Sequence, residues 1–221
     1  MPPRKRTRTR PDRPDLPPGL DPAPDVLDPG AVWDGVQAGE ELDAPRVVPD
    51  LEVRECRFTG VDLSGRSFPG LHVRDTVFTR CDLSGAVLDR AVLERVVFDG
   101  CRLTGTVLSG ATLRDVHLTA CRADLLALRM ATATFLLAED TGLRGADLHE
   151  FTGTAVALLG CDLTGADLDR AALAGAHLHG SVLDDVQGAL SLRGARIDAE
   201  QQIALGSALL AALDVRVTER P

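Results

Sequence analysis

The sequence predicts an all-β solenoid whose coils have four sides and about twenty residues each. From Cys56 to Leu183 the chain repeats every five residues without insertion or deletion, and Leu or Phe fills 21 of the 26 repeat centres, which are 58, 63, 68 and so on to 183. A small residue stands two positions before 21 of the 26 centres. Because a period of five suits neither a helix nor a flat strand, it indicates a chain that turns a corner every five residues and points two side chains inward per corner.

The number of corners in one coil follows from identical residues that recur at multiples of twenty positions. These are Cys81, Cys101, Cys121 and Cys161 in one set, and Phe58, Phe78 and Phe98 in another. Identical residues stack when they lie on successive rungs, so four five-residue units make one coil. The cysteines then behave as small buried hydrophobic residues, and no CxxC pair or zinc spacing is present.

Glycine positions predict the shape of the corners. Twelve of the fourteen glycines between residues 56 and 185 stand two positions after a centre. A four-residue turn that starts at the centre places this residue third, where a type II turn needs positive φ. We therefore expect type II turns at many corners, and other turns where glycine is lacking.

The two ends of the chain differ from the repeats. Residues 1–30 hold nine of the thirteen prolines, and we expect a disordered tail because such a segment buries too little apolar surface. Its basic run is either a solubilising tail or a tether to nucleic acid, and it consists of Arg4, Lys5, Arg6, Arg8 and Arg10. Residues 31–52 are predicted as an N-terminal cap, and residues 53–187 as the solenoid.

A helix at about 199–213 is predicted within the C-terminal segment 188–221. Asp198 and Gln201 have the spacing of a capping box at its start. The helix is apolar nearly all round, so it must be buried on more than one side, either as a lid with a second chain against it or as a lid alone. The homodimer is the preferred interpretation, through Ile203, Leu205, Leu209, Leu210 and Leu213.

Two places break the repeat. In the coil 121–140, three large apolar residues fall on outward positions, namely Leu125, Met130 and Phe135. Either the coil bulges and Phe135 turns inward, or an apolar patch is exposed. At the centre 153 the sizes are exchanged, with Phe151 at the corner and Gly153 at the centre, and we expect the ring to fill the space that the glycine leaves.

The repeats resemble those of a known family. The stretches Cys81-Asp-Leu-Ser-Gly-Ala-Val-Leu88 and Cys161-Asp-Leu-Thr-Gly-Ala-Asp-Leu-Asp-Arg170 are similar to the A(D/N)LXX units of the pentapeptide repeat family. The resemblance covers about residues 50–185 and implies a right-handed quadrilateral β-helix. The C-terminal segment resembles that of actinobacterial members, including the mycobacterial fluoroquinolone-resistance type, in which the corresponding helix forms a dimer.

Composition and motifs argue against several functions. The net charge of −9 argues against a nucleic-acid binder, apart from the basic run at residues 4–10. No signal peptide and no apolar run of membrane-spanning length is present, which favours a cytoplasmic location. Catalytic and phosphate-binding motifs are missing, and all five histidines fall on outward positions. We expect a protein that is not an enzyme and binds neither metal nor cofactor.

Charge is concentrated in the C-terminal coils. Residues 56–138 carry ten arginines and eight acids, whereas residues 139–185 carry nine acids and two arginines. The nine acids are Glu139, Asp140, Asp147, Glu150, Asp162, Asp167, Asp169, Asp184 and Asp185. Together with the resemblance, they suggest a DNA-mimicking modulator of DNA gyrase. The alternative is a scaffold that binds an unrelated protein through the apolar patch near Phe135.

Overall fold

The computed structural model describes residues 10–215, which form a β-solenoid followed by a short helix. The strands are β1 (Asp21–Pro22), β2 (Val32–Asp34), β3 (Val36–Ala38), β4 (Glu52–Arg54), β5 (Arg57–Thr59), β6 (His72–Thr79), β7 (Val92–Asp99), β8 (Thr112–Thr119), β9 (Thr132–Glu139) and β10 (Thr152–Leu159). Two 3-10 segments, Ala189–Leu192 and Ala199–Gln201, precede the helix α1 (Gln202–Ala212).

The coils stack in parallel with a register of twenty residues. Phe58 pairs with Phe78 and Thr132 with Thr152 in the long strands. Isolated bridges join the other sides, as between residues 62 and 82 and between residues 67 and 87. Each coil therefore has four hydrogen-bonded columns, and the predicted four-sided solenoid is confirmed.

The interior is a stack of identical or similar side chains. The rings of Trp33, Phe58, Phe78 and Phe98 lie parallel, with successive centroids 5.9, 4.8 and 5.0 Å apart. The cysteine column is also superposed, because the amide after each of Cys101 and Cys121 donates to the carbonyl of the cysteine one coil earlier. All five thiols are free and buried. Burial raises the pKa of Cys161 to about 11, which keeps that thiol protonated and unreactive near neutral pH.

Corners on two of the four sides are four-residue turns that begin at the centre residue. The amide of Ala86 donates to the carbonyl of Leu83 at 2.9 Å, and the pattern recurs along the stack. The twelve glycines after the centres all have positive φ. Corners without glycine keep the same left-handed backbone, as at Arg90 and Met130, with φ of 58° and 55°. At these corners the expectation of other turns was wrong, because the stacked coils keep the path that glycine takes at Gly70 and Gly110 of the same column.

One corner is built differently in each of the five coils that contain β6 to β10, whereas the next coil has a four-residue turn there, with Ala176 N donating to the carbonyl of Leu173 at 3.0 Å. The strands β6 to β10 run through it without a turn, so that each covers two sides in eight residues. The residue at the bend has a φ between 49° and 59° and lies directly above its counterpart in the next coil. We call this set the corner column, and it consists of Asp75, Arg95, Asp115, Phe135 and Ala155.

The segment predicted as an N-terminal cap continues the solenoid. Val32 pairs with Glu52 and Val47 with Ser67, which is the twenty-residue register of the later coils. Further upstream, Asp21 pairs with Val36 at a shorter interval. Residues 21–52 therefore add a full coil and an abbreviated first turn to the stack.

Residues 10–20, here called the strap, lie lengthwise across the coils. The guanidinium of Arg10 contacts the carboxylate of Glu139 at 3.2 Å, and the amides of Asp12 and Asp15 donate to carboxylates of the corner column. The structure thus differs from the expected disorder for this part of residues 1–30. Proline-rich composition disfavours burial in a core, but it does not prevent an extended segment from docking on a surface. Arg4, Lys5, Arg6 and Arg8 lie outside the described residues.

The two irregular places in the repeat are accommodated without a change of register. The coil 121–140 does not bulge, since β9 pairs residue by residue with β8 and β10. Leu126 and Leu136, at small-residue positions, are buried and compensate for alanine centres. Phe151 is completely buried, and a Cβ on Gly153 would lie 2.9 Å from its ring, so the expected exchange of sizes is present.

The C-terminal segment closes the last coil. Asp198 and Gln201 form the capping box, and the Gln201 amide also donates to the carbonyl of Leu178 at 2.8 Å. Leu205 and Ala208 of α1 pack against the core. In the part of the chain from residue 10 to residue 215, no helix has the length and hydrophobicity of a membrane span.

Candidate functional site

The nine acidic residues of the coils 139–185, here called the acidic coils, fall mainly on two adjoining sides of the solenoid. Their places follow from their positions in the twenty-residue coil, since residues twenty apart share a column. The first side carries Asp140, Asp162, Asp184 and Asp185, with Glu139 at its edge. The second side carries Asp147, Glu150, Asp167 and Asp169. The structure therefore brings the predicted acidic residues together as two neighbouring groups.

The second group surrounds a histidine that the sequence did not single out. His149 Nε2 lies 3.7 Å from Glu150, and its Nδ1 lies 3.9 Å from Asp167 and 4.0 Å from Asp169. The backbone amide of His149 donates to the carboxylate of Asp147 at 2.9 Å. The twenty-residue interval from His149 to Asp169 is the sequence signal that could have found it.

Arginines neutralise part of the acidic surface. Arg129 pairs with Asp147 at 3.0 Å, Arg144 with Asp162 at 2.8 Å and Arg170 with Glu150 at 3.0 Å. These pairs are solvent-exposed, so each contributes only about 0–1 kcal/mol to stability, and a partner can exchange them readily.

Asp162 is held in its ionised form by its neighbours. The Thr164 hydroxyl donates to this carboxylate and lowers its pKa below the ordinary range, with help from the Thr164 amide and Arg144 and against the effect of desolvation. Asp162 thus remains negative even in mildly acidic solution.

Glu139 belongs to a different environment. Its carboxylate is 2.9 Å from His117 Nε2 and also contacts Arg10 of the strap. Within residues 10–215, no arginine pairs with the remaining acids of the acidic coils, which are Asp140, Asp167, Asp169, Asp184 and Asp185. These five carboxylates form the open part of the acidic surface.

The predicted apolar patch is divided by the geometry of the coil. Leu125 and Met130 are 62% and 55% exposed, and Phe135 is half-buried on the corner column. The three residues are five positions apart, and every five residues carry the chain around one corner. They consequently lie at three successive corners of one coil, and the structure does not bring them together.

The predicted dimerisation residues divide between two sides of α1. Leu205 packs against the core and Leu209 is half-buried. Ile203, Leu210 and Leu213 are exposed, with Ile203 at 85%. The helix therefore covers the last coil with one side and presents a second apolar side to solvent.

Among residues 10–215, no group of three or more His, Cys, Asp or Glu side chains has the arrangement of a metal site. The interior cavities are small, about 30 Å³ each, and are lined by apolar side chains such as Leu93 and Phe98.

Comparison with known proteins identifies the repeats. A family model described as the pentapeptide repeat region matches residues 51–126, and one described as pentapeptide repeats (8 copies) matches residues 155–187. A search of curated proteins found no match.

The chain also matches solved structures with which it shares little sequence. HetL, a pentapeptide repeat protein involved in heterocyst differentiation regulation from the cyanobacterium Nostoc sp. strain PCC 7120, is 18% identical, with 77% of this chain and 87% of that chain covered and a TM-score of 0.40. A trypsin-treated form of QnrB1, a plasmid-mediated fluoroquinolone resistance protein, is 19% identical, with coverage of 87% and 99% and a TM-score of 0.37.

Proposed function

Because the chain belongs to the pentapeptide repeat family, whose members are in general structural or interaction modules, we propose that it is a non-enzymatic, cytoplasmic protein-interaction module that engages DNA gyrase. The acidic coils are the contact surface and take the place of duplex DNA in the enzyme. The observation that carries this proposal is the density of negative charge along the solenoid axis.

That density is comparable to the charge density of DNA. Residues 139–185 carry nine acids and two arginines, a net charge of −7, and Arg10 and Arg129 from outside the segment pair with two of the acids, which leaves −5. At about 4.8 Å per coil of twenty residues, the segment is about 11 Å tall, which gives one negative charge per ~2.2 Å. Duplex DNA carries one per ~1.7 Å of its axis. A protein surface that binds the DNA backbone meets a similar field on the acidic coils.

A homodimer through α1 would enlarge this surface. The exposed side of α1, with Ile203, Leu210 and Leu213, directly follows the acidic coils in the chain. Pairing of two helices would bury these side chains and place the two sets of acidic coils at the centre of one rod, on the order of 80 Å long.

A supercoiling assay with purified DNA gyrase tests the proposal. We expect micromolar protein to change supercoiling or quinolone sensitivity, and the variant Asp167→Asn, Asp169→Asn, Asp184→Asn, Asp185→Asn to need at least about tenfold more protein for the same effect. The matched control removes four exposed charges elsewhere, through Asp50→Asn, Glu55→Gln, Asp89→Asn and Asp99→Asn. The proposal fails if the wild type has no effect, or if both variants weaken it equally.

The alternative of docking through an apolar patch near Phe135 receives no support from the geometry. It required one apolar docking surface near Phe135, with Leu125 and Met130 beside it. Because these residues lie at three different corners, none of the surfaces of this coil presents all three to a single partner.

A further inference from the structure

The strap contains a short repeat of its own. Residues 10–12 and 13–15 both read Arg-Pro-Asp. The proline of each unit has no amide hydrogen, so the aspartate that follows supplies a backbone donor at every third residue. In the structure these two donors bind equivalent acceptors: Asp12 N donates to Asp115 Oδ1 at 2.9 Å, and Asp15 N to Asp75 Oδ1 at 3.1 Å.

The spacing of the donors matches the spacing of the acceptors. Asp75 and Asp115 lie two coils apart on the corner column, a distance of about 9.6 Å at the usual rung spacing. Three residues in a polyproline II conformation span ~9.3 Å. A proline-rich chain in this conformation has no internal hydrogen bonds, so its amides are available to the column at intervals of two coils.

The intervening coil fixes the acceptor Asp75 in place. Arg95, between the two aspartates, donates through Nε and Nη2 to both oxygens of Asp75 at 2.6 and 2.7 Å. Burial acts to raise the pKa of Asp75, but hydrogen bonds from Arg95, the Asp15 amide and Arg74 hold it below its ordinary value. The column therefore presents an ionised, positioned acceptor to the strap.

Burial along the solenoid follows the path of the strap. Asp75 is 4% exposed although it lies at a corner, and Arg95, Asp115 and Phe135 are half-buried. Ala155, one coil beyond the Arg10–Glu139 contact, is exposed. Pro11, Pro14 and Leu16 of the strap are half-buried in turn.

We propose that the corner column is a docking site for extended, proline-rich segments with the Arg-Pro-Asp pattern, and that the chain's own strap occupies it in cis. The column recognises an amide hydrogen at every third residue through its aspartates, and Glu139 recognises an arginine at the N-terminal end. The site is independent of the acidic surface proposed to engage gyrase, except that the strap neutralises Glu139.

Amide hydrogen exchange in the full-length chain, read by NMR, tests the cis contact. Asp115→Gly removes an acceptor without strain, because glycine accepts the positive φ of 57°. We expect the Asp12 amide to exchange at least about tenfold faster in this variant, while the amides of β7 stay protected. Asp115→Asn, which keeps an acceptor oxygen, should restore protection. Asp185→Gly is the matched control, with a φ of 55° at a corner away from the strap, and should change nothing at Asp12.

Binding in trans tests the site itself. A fluorescent peptide with the sequence of residues 10–16 is added to the full-length wild type and to a full-length variant with Arg10→Glu, Pro11→Gly and Pro14→Gly, which loosens the strap. We expect a rise in anisotropy with the variant and none with the wild type at the same concentration, and a loss of at least about tenfold in affinity when Asp115→Gly is added to the variant.

Two results would overturn the inference. One is an Asp12 amide that exchanges in the wild type as fast as in the free peptide. The other is peptide binding that is absent from the loosened variant, or is equal in the two chains.

Discussion

The residues at the corners carry a backbone conformation that most side chains avoid. Among residues 10–215, sixteen non-glycine residues of the solenoid have positive φ, and among them are Leu125, Met130 and Phe135 of a single coil. Such residues cost of order 1–2 kcal/mol each relative to glycine, although aspartate tolerates the conformation better. The left-handed conformation is maintained because neighbouring coils hydrogen-bond to the corner from both sides, so that no residue can relax alone.

Gly153 is required for a different reason. Its φ is unexceptional, but a Cβ there would clash with Val156 Cγ2 and lie 2.9 Å from the Phe151 ring. We expect Gly153→Ala to destabilise the protein by about 1–3 kcal/mol through overpacking. Gly206→Ala is the control, because that Cβ would have nothing within 4 Å and should stabilise α1 by roughly 0.5–1 kcal/mol. Chemical denaturation measures both, and equal stability of the two variants would contradict the packing around Phe151.

Asp75 should make stability depend on pH in the acidic range. Its pKa is lowered in the folded chain, so its contribution is present above the unfolded value of about 3.9 and is lost as pH falls through the folded value. Asp75→Asn removes the charge and keeps a residue suited to positive φ. We expect this variant to be less stable by roughly 1–3 kcal/mol at pH 7 and to lose less stability than the wild type below about pH 4. Denaturation curves at several pH values test this, and parallel curves for the two proteins would contradict it.

At the scale of the element, one coil is the unit of stability. Each coil forms its backbone ladder with the two adjacent coils, and its centre side chains pack between theirs. A defect in one coil therefore disturbs the packing at two interfaces. Leu103 and Leu163 are both 1% exposed at centres of different coils, and Leu108 is 6% exposed.

Substitution at these centres should therefore be costly. We expect Leu103→Ala and Leu163→Ala each to lower the free energy of unfolding by about 2–5 kcal/mol through cavity formation. Leu108→Asp should cost more, because it buries a charge without a partner. Thermal melts measure the order, and Leu125→Ala, at an exposed corner, is the control that should change little. The inward assignment is wrong if Leu108→Asp melts with the wild type.

At the scale of the whole molecule, α1 decides the state of association. We expect a homodimer in solution, and Ile203→Asp with Leu213→Asp should convert it to a monomer by placing charges in the paired apolar surface. Gln202→Asp, an exposed substitution at the start of the same helix, should leave the dimer intact. Sedimentation equilibrium distinguishes the outcomes. A wild type that is monomeric at every concentration, or a double variant that remains dimeric, would contradict the pairing.

The solenoid could be predicted because the same sequence pattern recurs in every five-residue unit. The centres, the small residues and the corner glycines all have the same five-residue period, so single exceptions such as Gly153 did not obscure the register. The strap could not be predicted, because proline content alone does not reveal that the Asp12 and Asp15 amides match carboxylates two coils apart. The acidic residues could be identified from the charge distribution along the sequence. Their division into two groups, and the separation of Leu125, Met130 and Phe135, depend on the three-dimensional positions of the corners.

The path of the strap also bears on the order of assembly. Residues 10–20 leave the ribosome before the coils that receive them, because the receiving surface extends to Glu139. The strap must therefore dock after coils that are synthesised later than it is. During translation its arginines and prolines are accessible to other proteins. Once the later coils are complete, the strap docks on them and is no longer available to another protein.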